Sequence, residues 1–217
     1  MLSLFITFEG PEGSGKTTQA QLLGKFLSDI GYTVNLTREP GGTSIGELVR
    51  DILLDPCHKN MAPRTELLLY LATRAQHIAE RIRPALKRGE IVICDRFSDA
   101  SVVYQGMARN LGVKRIKELN KYATDNLLPD LTFIMDVSVE EGLHEARHSS
   151  SPKWNTNSGD RIEQEDDNFH RIIRRGYRQL AKEEPERCKL LSRKDSIEAT
   201  QKIIQETVEG WLRRIES

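Results

Sequence analysis

The segment that most constrains this chain is Gly10-Pro11-Glu12-Gly13-Ser14-Gly15-Lys16-Thr17, which satisfies G-x-x-x-x-G-K-[ST]. Apolar Leu4-Phe5-Ile6-Thr7-Phe8 precedes it and reads as a buried strand. Lys16 to Ile30 follows it as a helix with Ala20, Leu23, Phe26, Leu27 and Ile30 on one stripe. The bare pattern arises by chance in about one chain per hundred of this size. The strand before it and the helix after it make chance far less plausible. Such a loop wraps its backbone N–H groups round a phosphate chain at a helix N-terminus, where the dipole favours negative charge. Lys16 would reach the outer phosphates and the Thr17 hydroxyl would ligate Mg²⁺. The loop of Gly10 to Thr17, with Thr18, is therefore the expected donor-nucleotide site.

The same strand–helix alternation continues along the chain. Thr33 to Thr37, Ile91 to Asp95, Leu131 to Val137 and, more weakly, Cys188 to Ser192 read as further strands. Helices are expected near 45–54, from Pro63 to Lys87, over 113–126, 162–182 and 197–215. Strands apolar on both faces argue a parallel sheet covered by helices, with its ligand crevice at the strands' carboxyl ends. Asp95 closes the third strand, the position from which a carboxylate helps hold Mg²⁺, and Arg96 follows it beside the phosphates. No linker or repeat divides the 217 residues, so a single domain is expected, with a polar lid over about 147–161.

Charge narrows the partners. Lys plus Arg (32) equal Asp plus Glu (32), so no global basic field gathers nucleic acid or an anionic membrane. No apolar run approaches the ~20 residues of a membrane span, and the N-terminal residues carry no leader pattern. Three widely spaced cysteines fit neither a disulfide framework nor a zinc site, and a reducing cytoplasm is expected. The five histidines show no metal-ligand pattern and are given no role.

A phosphate loop serves switches, motors and small-molecule kinases alike, so the acceptor side decides. Phe8-Glu9-Gly10, Arg38-Glu39-Pro40-Gly41-Gly42-Thr43, Asp95-Arg96-Phe97, Tyr104-Gln105-Gly106 and Asp160-Arg161-Ile162-Glu163 occur in this order. With the phosphate loop they make the chain resemble the bacterial-type thymidylate kinases over nearly its whole length. The resemblance implies a five-stranded P-loop α/β fold with a mobile lid. It also implies a homodimer, and transfer of the γ-phosphoryl group of ATP to dTMP, yielding dTDP and ADP for dTTP synthesis. It places Tyr70, where relatives usually carry Phe, against the base, Arg74 as its reader, and Ser101 and Gln105 close by. Tyr104 would crowd the sugar 2′ position, and Glu12 would bond its 3′-hydroxyl. Arg38, Arg50 and Arg96 are candidates for the acceptor phosphate, Arg96 foremost.

Positions 11, 12 and 14 of the loop add no cation to Lys16. Arg161, matching the lid arginine, is therefore expected to supply one, with Arg147 and Lys153 as helpers; Trp154 reads equally as a cover over the closed site or as a surface anchor. The bland alternative pairs Arg161 with Glu165. A kinase of another base preference and a GTPase switch compete with this reading. Against the switch, Asp95-Arg96-Phe97-Ser98 lacks its glycine and Asn120-Lys121-Tyr122-Ala123 lacks the aspartate that reads guanine.

Overall fold

The computed structural model describes residues 3–148, 159–192 and 196–216. Five strands form one sheet: β1 (Leu4–Glu9), β2 (Val34–Arg38), β3 (Ile91–Asp95), β4 (Leu131–Asp136) and β5 (Cys188–Ser192). Their order is β2-β3-β1-β4-β5, and every neighbouring pair is parallel. The inner strands β1 and β4 are buried at every residue, as the unbroken apolar runs demand, whereas edge strands β2 and β5 are partly exposed.

Strand alternation divides the core in two. Leu4, Ile6 and Phe8 turn to the face covered by α1 (Lys16–Asp29) and α9 (Ile197–Glu216), against Leu23, Leu27, Ile204 and Val208. Phe5 turns the other way, against Ile78, Ile82, Val92 and Phe97. On that second face lie α3 (Pro63–His77), α6 (Val113–Thr124) and α8 (Asp167–Glu183). Helix α2 (Ser44–Leu54) packs on α3.

Two departures from the expected elements bear on function. The long helix from Pro63 runs through a π-helical stretch at Ile78–Ile82 before ending in α4 (Arg83–Lys87). Residues past β3, not expected to be a regular helix, form the short α5 (Ser98–Ser101) and a π-helical run, Val102–Ala108. The wider turn is plain in the Arg109 N–H donating to the Tyr104 carbonyl five residues back, at 2.8 Å. A further helix, α7 (Val139–His148), was also not anticipated, and α8 starts five residues later than expected because 160–165 form turns.

The chain leaves β1 toward one face, through α1, and leaves β3 toward the other, through α5. A crevice therefore opens between the carboxyl ends of these adjacent strands.

Candidate active site

The first wall of the crevice is the glycine loop between β1 and α1. Gly13 has φ +62°, and a Cβ there would lie 1.9 Å from the carbonyl oxygen of Gly142 in α7. A reciprocal Cβ on Gly142 would sit 2.5 Å from the Glu12 carbonyl, so the loop is wedged backbone to backbone against α7. Lys16 is buried and folds back on its own loop, donating to Pro11 O at 2.6 Å and Ser14 Oγ at 3.2 Å. Burial, then the nearby Arg96 charge, pull its ammonium down to about 8, against the opposing pull of Asp95, Glu12 and Glu9. The Thr17 hydroxyl donates to the Asp95 carboxylate. Hydroxyl and carboxylate oxygens converging below a phosphate loop are the donor set of a hard divalent cation.

Arg96 crosses the middle of the crevice. Its backbone holds φ +68°, a left-handed conformation uncommon outside glycine. From there its guanidinium donates to Gly10 O at 2.8 Å, Glu12 Oε1 at 3.0 Å and Tyr177 Oη at 3.2 Å, and lies over the Tyr104 ring. The Tyr104 hydroxyl donates to the same Glu12 oxygen at 2.6 Å. Burial alone would raise the Glu12 carboxyl, but Arg96, His170, Lys16 and Tyr104 overcome it and hold it at about 2. A carboxylate inside a phosphate loop thus has its partners in place. Beneath it, buried Glu9 accepts from Phe97 N (2.8 Å), Ala100 N (3.3 Å) and Tyr177 Oη (2.8 Å). Burial and Asp99 lift its carboxyl to about 7.

The far end is built from side chains of many elements. Arg74 is 1% exposed. Its Nε donates to Glu39 at 2.8 Å, Nη1 to Ser101 Oγ and Asn120 Oδ1 at 2.9 Å each, and Nη2 to Phe97 O at 3.0 Å. His77 Nδ1 lies 3.1 Å from the other Glu39 oxygen and its Nε2 lies 2.7 Å from Thr37 Oγ1. A solvated Arg74 is thereby overturned: the arginine is fixed in a buried frame. Tyr70 lies one turn before it, half-buried and facing the crevice.

All this encloses a cleft of about 870 Å³. Glu12, Gly13, Ser14, Gly15, Lys16, Thr17, Thr18, Arg38, Arg50, Tyr70, Arg74, Asp95, Arg96, Ser101, Tyr104 and Gln105 all line it. Among the expected site residues, Gly10, Pro11 and Arg161 do not. Arg38 is exposed and pairs with Glu47 at 2.8 Å, while Arg50 donates to Pro40 O at 2.9 Å.

Arg161 requires a correction. It was expected as a lid cation at the phosphates or as a partner of Glu165. Instead it is buried, with Nη1 2.7 Å from Glu66 and Nε donating to Leu53 O at 2.7 Å. Glu165 is taken by Arg109 at 2.5 Å. Glu66 is the more deeply buried of the two carboxylates, and the lower dielectric around it strengthens the pair. Lys153, Trp154 and most of the expected lid lie outside the described residues.

Several contributors were not anticipated. Glu39 sits in a motif that was noticed, yet its carboxylate was given no task. His77 and His170, set aside for want of metal-ligand spacing, stand beside Glu39 and Glu12. Asn120, Tyr177 and Glu66 arrive from helices distant in sequence, and Arg109 from the turn after Ala108, where no local pattern marks them.

The thymidylate kinase family model matches residues 8–204. The chain belongs to the thymidylate kinase family. Thymidylate kinase of an Exiguobacterium species is 45% identical over 210 residues, 96% of each chain. That of Pseudomonas putida strain F1 is 47% identical over 214 residues, 99% of each. The crystal structure of thymidylate kinase from Ehrlichia chaffeensis superposes with a TM-score of 0.77 at 34% identity, covering 96% of this chain and 99% of that one. Within a thymidylate kinase fold, the cleft runs from the glycine loop to the Arg74 frame without interruption.

Proposed function

We infer that this chain transfers the γ-phosphoryl group of ATP to dTMP, releasing ADP and dTDP. The observation that carries the reading is the single cleft joining Lys16 and the glycine loop at one end to Tyr70 and the buried Arg74 at the other. Two nucleotides laid in it would meet phosphate to phosphate near Arg96.

The acceptor phosphate has its second pKa near 6, so it is already largely dianionic at neutral pH and needs no general base. Its oxygen attacks the γ-phosphorus as the bond to the β–γ bridging oxygen breaks, and the electron pair leaves with ADP. The obstacle is repulsion between two polyanions, which positioned cations relieve. Lys16 and the N-terminus of α1 hold the donor. Arg96, with Arg38 and Arg50 also lining the cleft, holds the acceptor. Arg74 donates to a base carbonyl while Tyr70 stacks, and Tyr104 and Glu12 meet the sugar. Thr17 and Asp95 fit Mg²⁺, which when bound would neutralise charge on the donor phosphates. The Arg161 side chain supports the cleft from behind.

The exposed Ile45, Leu48 and Ile52, one stripe of α2, and Leu68 of the packed α3 support a homodimer, which sedimentation velocity would test. A single kinase domain accords with the continuous sheet. No helix among the described residues is long and apolar enough to cross a membrane. Three free thiols, at Cys57, Cys94 and Cys188, support a reducing, cytoplasmic setting.

A coupled ADP-release assay with ATP, Mg²⁺ and a panel of dTMP, dUMP, dCMP and dGMP tests the reading. The highest kcat/KM is expected for dTMP. A higher value for dCMP or dGMP would overturn it.

A further inference from the structure

Glu66 lies in the first turn of α3, its side chain 1% exposed, and it does not line the cleft. Four donors converge on its carboxylate. Gln105 Nε2 stands at 2.8 Å, Arg109 Nε at 3.2 Å, Arg109 Nη2 at 3.0 Å and Arg161 Nη1 at 2.7 Å. An ionised carboxylate offers about four acceptor sites and no proton. Burial works against its ionisation, but Arg109, Gln105 and Arg161 together hold its pKa below the ordinary glutamate value.

This bears on Gln105, which does line the cleft. A carboxamide has an NH₂ end that donates and a carbonyl end that accepts, and which end faces a ligand is set by the partner that anchors the other. Because Glu66 can only accept, the amide nitrogen is committed to it, and the carbonyl oxygen is the group left for the cleft. The orientation is stiffened from behind. Arg109 grips Glu66 through two nitrogens and lies over the Phe169 ring at 4.5 Å, and Arg161 is tied to Leu53 O. Neither cation can leave without stranding charge in the interior.

We propose that Glu66 is a positioning residue for base selection: it locks the Gln105 carboxamide with its acceptor toward the base pocket. An acceptor there suits a pyrimidine whose ring N3 carries hydrogen, as in thymine or uracil. It opposes one whose N3 bears a lone pair, as in cytosine. With Arg74 donating nearby, the wall presents one acceptor and one donor, complementary to an imide. The proposal rests on the dTMP kinase reading above. It adds that discrimination against an aminopyrimidine is set by a residue that never touches the base.

The test compares dTMP with 5-methyl-dCMP, which keeps the methyl group and reverses the N3 and C4 pattern. Both are assayed with wild type, Glu66→Gln, Gln105→Leu and the double variant. Glu66→Gln gives the carboxamide a partner that also donates, so Gln105 can turn over. The dTMP to 5-methyl-dCMP ratio of kcat/KM should fall at least ~10-fold, about one hydrogen bond's discrimination. KM for ATP should stay within ~2-fold, and the double variant should match Gln105→Leu because both act through one amide. A purely structural role would lower turnover on both bases and leave the ratio unchanged. That result, with wild type active on dTMP, overturns the proposal. Wild type inactive on dTMP overturns the underlying reading instead.

Should Glu66→Gln fail to fold, ¹⁵N spectra of wild type decide. The Gln105 side-chain N–H signals, assigned by their loss in Gln105→Leu, should stay protected from exchange and shift little when dTMP binds. Signals that lose protection, or move strongly on adding dTMP, would place the nitrogen on the base and overturn the assignment.

Discussion

The two ends of the cleft are made in opposite ways. The phosphate end is eight consecutive residues whose shape is a backbone property, with Gly10, Gly13 and Gly15 at φ +138°, +62° and +89°. The far end, where we place the base, is a buried frame of side chains in which Arg74 joins α3 to Glu39 after β2, Ser101 of α5 and Asn120 of α6. A loop that displays its own N–H groups takes its support through the backbone, here against α7. A guanidinium held rigid in the interior needs a compensating carboxylate, and that carboxylate needs its own neighbours, here His77. Function and stability should therefore separate at the first end and be inseparable at the second.

The largest effect is expected at the cradle. Lys16→Met should lower kcat about 10²–10³-fold, the scale of losing one positioned charge from phosphoryl transfer. The melting temperature should hold or rise. Burial pulls the Lys16 ammonium down to about 8, so the folded state carries this charge at a cost that methionine removes. A clear drop in melting temperature would mean that the loop depends on its lysine to fold, and the contrast would weaken. Arg74→Met comes next. It strands the Glu39 carboxylate, 2% exposed, and breaking a buried pair in this way costs about 3–5 kcal/mol. Urea unfolding should report that loss together with a raised KM for dTMP and an unchanged KM for ATP. Weakened dTMP binding at full stability would show that the frame is not what holds this end together.

The same contrast explains what could be read from the sequence. The cradle was legible because its chemistry is contiguous, and the strands were legible because burial on both faces leaves unbroken apolar runs. Tyr70 and Arg74 share a helical face by spacing, and both do line the cleft. Their surroundings were not legible: Glu39, Asn120 and Glu66 are polar residues in unremarkable helices or turns until the fold brings them together. Arg161 was misplaced for the same reason. Its local neighbour Glu165 is four residues away, and its actual partner Glu66 is ninety-five positions upstream. The wide turn at Val102–Ala108 escaped because period-3.6 reasoning does not anticipate a helix with an extra residue per turn. Yet that turn carries Tyr104 and Gln105.

The smallest expected effect comes from the rim between the two ends, and it asks which of them the rim resembles. Glu163 lines the cleft in a turn where its carboxylate accepts from Asp160 N at 3.1 Å and its own N–H donates to Asp160 Oδ1 at 3.0 Å. Burial first, then the Asp160 charge, raise its carboxyl from 4.5 to about 7. A raised carboxyl pKa means that the folded chain holds a proton that the unfolded chain releases. Between pH 4.5 and 7 the folded state therefore binds more protons, and its stability falls as pH rises through that window. Above it the penalty is constant. Glu163→Gln removes the titration, so the variant should melt about 1–3 °C above wild type at pH 8 and closer to it at pH 5. If the rim is local, like the cradle, the ratio of dTMP to dCMP turnover stays as in wild type. A changed ratio would put Glu163 in the same buried frame as Arg74, and the boundary between the two ends would move to the turn at 160–165.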